Sequence, residues 1–150
     1  MHLNLEAAER VRNKQATYCR HLDTKQFDKW ETIFKADTPI IFYNADNSIF
    51  AEFNSVAELA SMTRRGLFAT TRTIHQGYIS EIEFRFETQA TPIQSKEDGH
   101  IDTPDGATAP KTMHGYGFYY ETWELADGEW KLASLELRRN LVTHSHPQSR

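Results

Sequence analysis

Apolar positions change period part-way along the chain. Leu5, Ala8, Arg12, Gln15, Cys19 and Leu22 recur at spacings of three and four, which predicts a helix with a partly apolar stripe over 5–22. His21-Leu22-Asp23-Thr24 interrupts it, and a second short helix is expected from Gln26 to Phe34, with Phe27, Trp30, Ile33 and Phe34 on one aromatic face. Beyond Pro39, Ile40-Ile41-Phe42-Tyr43 reads as a strand, Asn44 to Ser48 as a turn, and Ile49-Phe50 as a second short strand. Ser55-Val56-Ala57-Glu58 is a capping box that should open a helix running to Arg65, with Gly66 as its stop.

From there the period becomes strand-like. Thr71–Tyr78, Glu81–Ile93, Met113–Leu125 and Glu129–Leu137 all read as extended, and Asp127-Gly128 is a hairpin signal between the last two. The stretch 95–111 contains Gly99, Pro104, Gly106 and Pro110 and lacks an apolar period, so a long loop is expected there. The tail, 144–150, is polar and expected to fray. Helices first and a strand meander afterwards predict an α+β fold, with helices on one face of a curved antiparallel sheet.

The chain has 150 residues, a length that suits one domain with a core spanning about 5–140. With 3 Trp, 6 Tyr and 9 Phe it carries a large apolar load for a polar chain. A formal net charge of −4 does not suit a nucleic-acid partner, which needs a basic face. No apolar run is long enough for a membrane span, and the first residues turn charged too early for a secretory signal. The single Cys19 excludes an internal disulfide framework and a multi-cysteine zinc site; a reducing, cytoplasmic location is the expectation.

The glycine-rich nucleotide and phosphate loops, H-E-x-x-H and G-x-S-x-G are all missing. His144-Ser145-His146 lies in the tail and reads as solvated rather than metal-binding. Two residues stand out. Asp23 precedes the aromatic helix and can serve as its N-cap; His75, in Thr73-Ile74-His75-Gln76-Gly77, can be an ordinary histidine on a half-buried sheet face. Brought together, the carboxylate would fix the imidazole tautomer and raise its basicity, making a general base near neutral pH.

Three stretches carry a family resemblance: Tyr18–Asp28 with Ile33-Phe34, Ile74–Glu83, and Gly115–Trp123 followed by Asp127–Leu135. Together they resemble SnoaL-like proteins of the nuclear-transport-factor-2-like superfamily. The resemblance implies a cone, an alpha-beta barrel in which a curved, mostly antiparallel sheet wraps around the N-terminal helices and leaves a pocket at its open end. Within the superfamily the chain is similar to scytalone dehydratases, which need no cofactor. That similarity puts Asp23 on the catalytic aspartate, His75 on the histidine it orients, and Tyr43 on one of two carbonyl-polarising tyrosines. Leu22 stands where the other tyrosine would be. His100 falls on a second active-site histidine and Tyr119 on a substrate-binding asparagine.

Strand parity extends the set. If Tyr119 points inward, so do Gly115, Gly117 and Glu121, and the two glycines would leave room for a ligand. His114, Tyr116, Phe118 and Tyr120 would then face outward, an aromatic surface that a second copy would cover, giving a homodimer or higher homo-oligomer. On the last strand the inward set is Leu135, Leu137 and Arg139, and Arg139 can hold an enolate oxygen or a solvent salt bridge. Trp30, Leu135, Leu137, Arg139, His100 and Tyr119 are the substrate-binding candidates, with neither metal nor cofactor expected.

The function expected is a general acid/base enzyme, a dehydratase, isomerase or cyclase, acting on a polyketide- or terpenoid-like small molecule of secondary metabolism. A binding or dimerisation module of the same fold is the alternative; it predicts that Asp23 only caps a helix and that His75 points away. A cofactor-using oxygenase subunit is a third possibility, against which the sequence shows no clustered two-histidine, one-carboxylate set.

Overall fold

The structure, a computed structural model, describes residues 4–102 and 111–145. Helix α1 (Leu5–Asp23) starts where the Asn4 side chain accepts the Ala7 N–H at 3.0 Å. The expected second helix forms as a 3₁₀ turn, Phe27–Thr32. Strands β1 (Ile40–Tyr43) and β2 (Ile49–Phe53) make a hairpin. Helix α2 (Val56–Arg65) is capped by Ser55 Oγ, which accepts the Glu58 N–H at 3.2 Å, while the Glu58 carboxylate reaches back to the Asn54 N–H at 2.7 Å.

Strands β3 (Arg72–Gly77), β4 (Glu81–Phe86), β5 (Gln89–Asp102), β6 (Lys111–Ala126) and β7 (Glu129–Ser145) follow. Asp127 and Gly128 turn β6 into β7 with φ of 51° and 79°, the left-handed pair that a tight hairpin requires.

The sheet has seven strands in the order β2-β1-β7-β6-β5-β3, with β4 pairing β5 alongside β3. All pairings are antiparallel except β1 with β7, so the sheet is mixed. The expected cone, an alpha-beta barrel, is corrected here: β2 and β3 end the sheet and do not pair with each other, so it is open. One physical reason lies at the β3 edge. The outward N–H of His75 is taken at 2.8 Å by the carboxylate of Asp23 at the end of α1, so a side chain satisfies the edge that a closing strand would have occupied.

Two extended readings also change. Glu81–Ile93 is two strands, β4 and the start of β5, with a turn between them. The expected loop 95–111 is β5 as far as Asp102, and its part over 103–110 lies outside the described residues. The tail is shorter than expected, because β7 runs to Ser145; 146–150 lie outside the described residues.

The core sits between the helices and one sheet face. Tyr18, Phe27, Trp30 and Phe34 pack ring against ring at 5.1–6.3 Å, joined by Ile33, Leu132, Leu135, Trp123 and Trp130. Each such aromatic contact adds about 0.5–1.5 kcal/mol to the burial itself. Two bulges adjust β7. Trp123 pairs with Leu132 while Thr122 pairs with Ser134, and Gly117 pairs with Arg139 while Tyr116 pairs with Leu141. The extra residues, Ala133 and Asn140, each shift the strand's facing by one position.

Candidate active site

Asp23 closes α1 rather than opening the next turn, whose start carries no side-chain cap. Its carboxylate receives three donors. His75 Nδ1 lies 2.6 Å from Oδ1, Thr73 Oγ1 donates to Oδ1 at 2.8 Å, and the His75 backbone N–H donates to Oδ2 at 2.8 Å. Lys25 Nζ in turn donates to Thr73 Oγ1 at 3.1 Å. Burial pushes the Asp23 carboxyl up, but these bonds outweigh it and hold the group below its ordinary value. An ionised carboxylate only accepts, so the His75 ring proton sits on Nδ1 and Nε2 keeps its lone pair. The His75 side chain is 5% exposed. Burial, aided by the Lys96 charge, lowers its pKa against the pull of Asp23, which keeps the ring neutral at pH 7.

The second cluster comes from the inward face of β5: Gln94, Lys96, Asp98 and His100. Asp98 is fully buried. It accepts from Lys96 Nζ at 2.9 Å and from Arg139 Nη1 at 3.0 Å, both at Oδ1. His100 Nε2 lies 2.7 Å from Oδ2 but off the ring N–H axis, which leaves that nitrogen without a well-directed partner. Burial opposes ionisation of Asp98, yet His100, Lys96 and Arg139 hold its carboxyl far below the usual carboxylate range. Lys96 Nζ also donates to the Tyr119 hydroxyl at 3.3 Å.

The two clusters meet in a cavity of about 410 Å³. Its polar wall includes His75, His100, Lys96, Tyr119 and Arg139; Trp30, Leu22, Phe68, Met113 and Leu137 are among its apolar side chains. The His75 and His100 rings are 5.5 Å apart, and Phe68 packs edge-on to His100 at 5.4 Å. One ligand atom each from His75, Asp98 and His100 lie within 4.8 Å of one another, the donor types of a two-histidine, one-carboxylate metal site. Asp98 is already engaged by an ammonium and a guanidinium, and a divalent ion would have to sit against both. The donor set therefore fits proton handling better than metal binding.

The chain matches the SnoaL-like domain over residues 4–136. It belongs to the SnoaL-like family. This SnoaL-like protein is 26% identical over 148 residues to the "Probable cyclase FGR4" of Gibberella zeae, covering 93% of this chain and 95% of that one. Among the solved structures that share the fold are two enzymes by name. One is a candidate scytalone dehydratase of Novosphingobium aromaticivorans, with a TM-score of 0.78 and 22% identity, covering 97% of this chain and 92% of that one. The other is the type-3 hexachlorocyclohexane dehydrochlorinase of Novosphingobium barchaimii, with a TM-score of 0.78 and 15% identity, covering 97% and 94%.

Of the residues singled out in the sequence, Asp23 and His75 meet directly, and His100, Tyr119, Arg139, Trp30 and Leu137 reach the same cavity. Leu135 is buried in the core and does not line the cavity. Tyr43 does not line it either. Phe42 and Asn44 face the cavity, so Tyr43 between them turns to the other side of β1, where the Arg138 guanidinium lies 4.1 Å from its ring centre.

The glycines of β6 also serve differently from the expectation. A Cβ at Gly115 would overlap the Arg139 guanidinium, and one at Gly117 would overlap the Arg138 carbonyl of the bulged β7. They make room for Arg139 and for a close strand, not for a ligand. The Asn140 bulge also turns Val142 and His144 toward the cavity, which inward parity counted from Leu135 does not anticipate. His146 lies outside the described residues. Lys96 and Asp98 escaped sequence reasoning. Their signal is faint: alternate residues from Gln94 to His100 are polar on both faces, so nothing marks one face as buried.

Proposed function

We propose that this SnoaL-like protein is a general acid/base enzyme in which His75 removes a proton from carbon beside a carbonyl. The observation that carries the reading is the 2.6 Å contact between His75 Nδ1 and Asp23. It leaves a neutral Nε2 as the acceptor on a ring that lines a largely apolar cavity. Loss of a neighbouring leaving group gives dehydration, return of the proton elsewhere gives isomerisation, and attack of the enolate carbon closes a ring. Relatives of this fold are named a probable cyclase, a candidate scytalone dehydratase and a dehydrochlorinase, which supports an acid/base reading without choosing among these outcomes. A polycyclic polyketide- or terpenoid-like metabolite suits the aromatic walls.

The rival reading, a binding or association module, expects Asp23 to cap a helix and His75 to point away; the observed contact runs against it. The outward Tyr116 and Tyr120 remain exposed, and homo-oligomer formation through that face is proposed, to be read by sedimentation. No helix among the described residues is long and apolar enough to cross a membrane.

The decisive measurement is deuterium wash-in from D₂O at the α-carbon of enolisable cyclic ketones such as β-tetralone, followed by NMR. Wild-type protein should catalyse it. His75→Gln, with unchanged circular dichroism, should lose roughly 10²–10⁴-fold. Equal wash-in by the folded variant would overturn the assignment.

A further inference from the structure

Two cations, Lys96 and Arg139, share the single carboxylate of Asp98. Lys96 and Arg139 both direct their charge at Asp98, and no other carboxylate among the described residues lies within ion-pair distance of either. Asp23 is held by His75 and Thr73; Glu121 is held by Gln15 and Trp123 on its own network. The Lys96 side chain is 2% exposed, so water does not compensate it. A buried cation in excess is costly unless something pairs with it.

We infer that the cavity holds its bound ligand as an anion, with the oxygen of an enolate or phenolate seated against Lys96 Nζ and the Tyr119 hydroxyl. Tyr119 accepts from Lys96 and keeps its own proton to donate, so the two groups form one pole with two donors. Both side chains line the cavity that His75 lines. Arg139 is held on Asp98 by three contacts of 3.0–3.4 Å, in the space that Gly115 leaves open. Its fork is therefore spent, and the pole offers no second fork to a carboxylate, which prefers two parallel donors. A single acidic oxygen on a flat ring fits the pole and the walls of Trp30, Phe68 and Leu137. The inference rests on the reading of this cavity as the reaction site and adds which groups hold the enolate oxygen that proton removal by His75 creates.

The probe is 4-nitrophenol, whose phenolate is yellow and whose neutral form is not. Titrating it from acid to alkali with and without the intact protein gives its pKa in the bound state. A tenfold or greater preference for the phenolate, read as a fall of at least one unit in the dye's pKa, is expected. Lys96→Met should abolish that preference, and benzoate should compete at least tenfold more weakly than 4-nitrophenol binds. If Lys96→Met does not fold, Tyr119→Phe replaces it with a smaller loss of preference, and the wild-type titration decides in its own right. Absence of binding, binding of the neutral phenol, an unchanged preference in the folded Lys96→Met protein, or benzoate binding as tightly would each overturn the inference. His75→Gln separates the two readings: it should retain the phenolate preference while losing deuterium wash-in. Retained wash-in beside a shifted dye sinks the His75 assignment alone; lost wash-in beside an unshifted dye sinks the anion pole alone.

Discussion

β5 and β7 flank β6 in one sheet, and each buries one face against the same helices, yet the buried faces are made of opposite chemistry. β7 presents Trp130, Leu132, Leu135 and Leu137; β5 presents Gln94, Lys96, Asp98 and His100. The first holds the fold by removing apolar surface from water. The second surrenders that gain, and its charges persist because Lys96 of β5 and Arg139 of β7 share the carboxylate of Asp98. The stability of this sheet is therefore concentrated toward β7 and its chemistry toward β5.

The sharpest break in that comparison is Asp98→Ala. It strands Lys96 and Arg139 without a carboxylate and should cost about 3–5 kcal/mol by urea denaturation. The double variant Asp98→Ala, Lys96→Met should recover a substantial part of that loss, because the stranded charge is gone. On β7 the expected loss has a different origin. Leu135→Ala should cost about 2–5 kcal/mol through lost burial and an unfilled hole, and adding Lys96→Met should not restore any of it. A rescue of Leu135→Ala by Lys96→Met would collapse the distinction between the two strands.

A smaller, pH-dependent effect sits between the strands on β6. Glu121 is buried, accepts from Gln15 at 2.7 Å and Trp123 at 2.6 Å, and meets no cation among the described residues. Burial raises its carboxyl to about 7, against those bonds. Its folded pKa exceeds the unfolded one, so the fold binds the extra proton, and stability falls as pH rises from about 4.5 to about 7. The loss amounts to about 3 kcal/mol. Glu121→Gln should flatten that part of the pH–stability curve; an unchanged curve would remove Glu121 as its source. Weakest of all is Tyr43→Phe. Its hydroxyl does not line the cavity, so deuterium wash-in should stay within about twofold and stability within about 0.5 kcal/mol. A loss of tenfold or more would restore Tyr43 to the reaction.

The contrast between β5 and β7 also explains which parts of the protein could be read from its residues. β7 alternates apolar and polar side chains, as a half-buried strand does, and Asp127-Gly128 marks its start; both were legible. β5 carries polar residues on both faces and ends among glycines and prolines, so its pattern matches a loop. A strand whose buried face serves a ligand lacks the very alternation that identifies strands. Asp23 and His75 were legible as a candidate pair through the family resemblance, although each residue by itself has an ordinary structural role. Tyr43 was placed at the site by the family resemblance, which carries over a position but not the facing of its side chain; at the end of β1 that facing is away from the cavity.

By itself the sequence determined the order of elements, helices before strands, since period and caps are local properties of neighbouring residues. It also determined the aromatic packing of Phe27, Trp30 and Phe34, because helical spacing puts them on one face. Only the tertiary structure decided that the sheet stays open, that Asp98 gathers Lys96, His100 and Arg139, and that the Asn140 bulge brings Val142 and His144 round to the cavity. These depend on contacts between residues distant in sequence, or on one inserted residue that reverses the facing of everything after it. A bulge costs a strand one position of register, and no local pattern reveals it until the partner strand is in place.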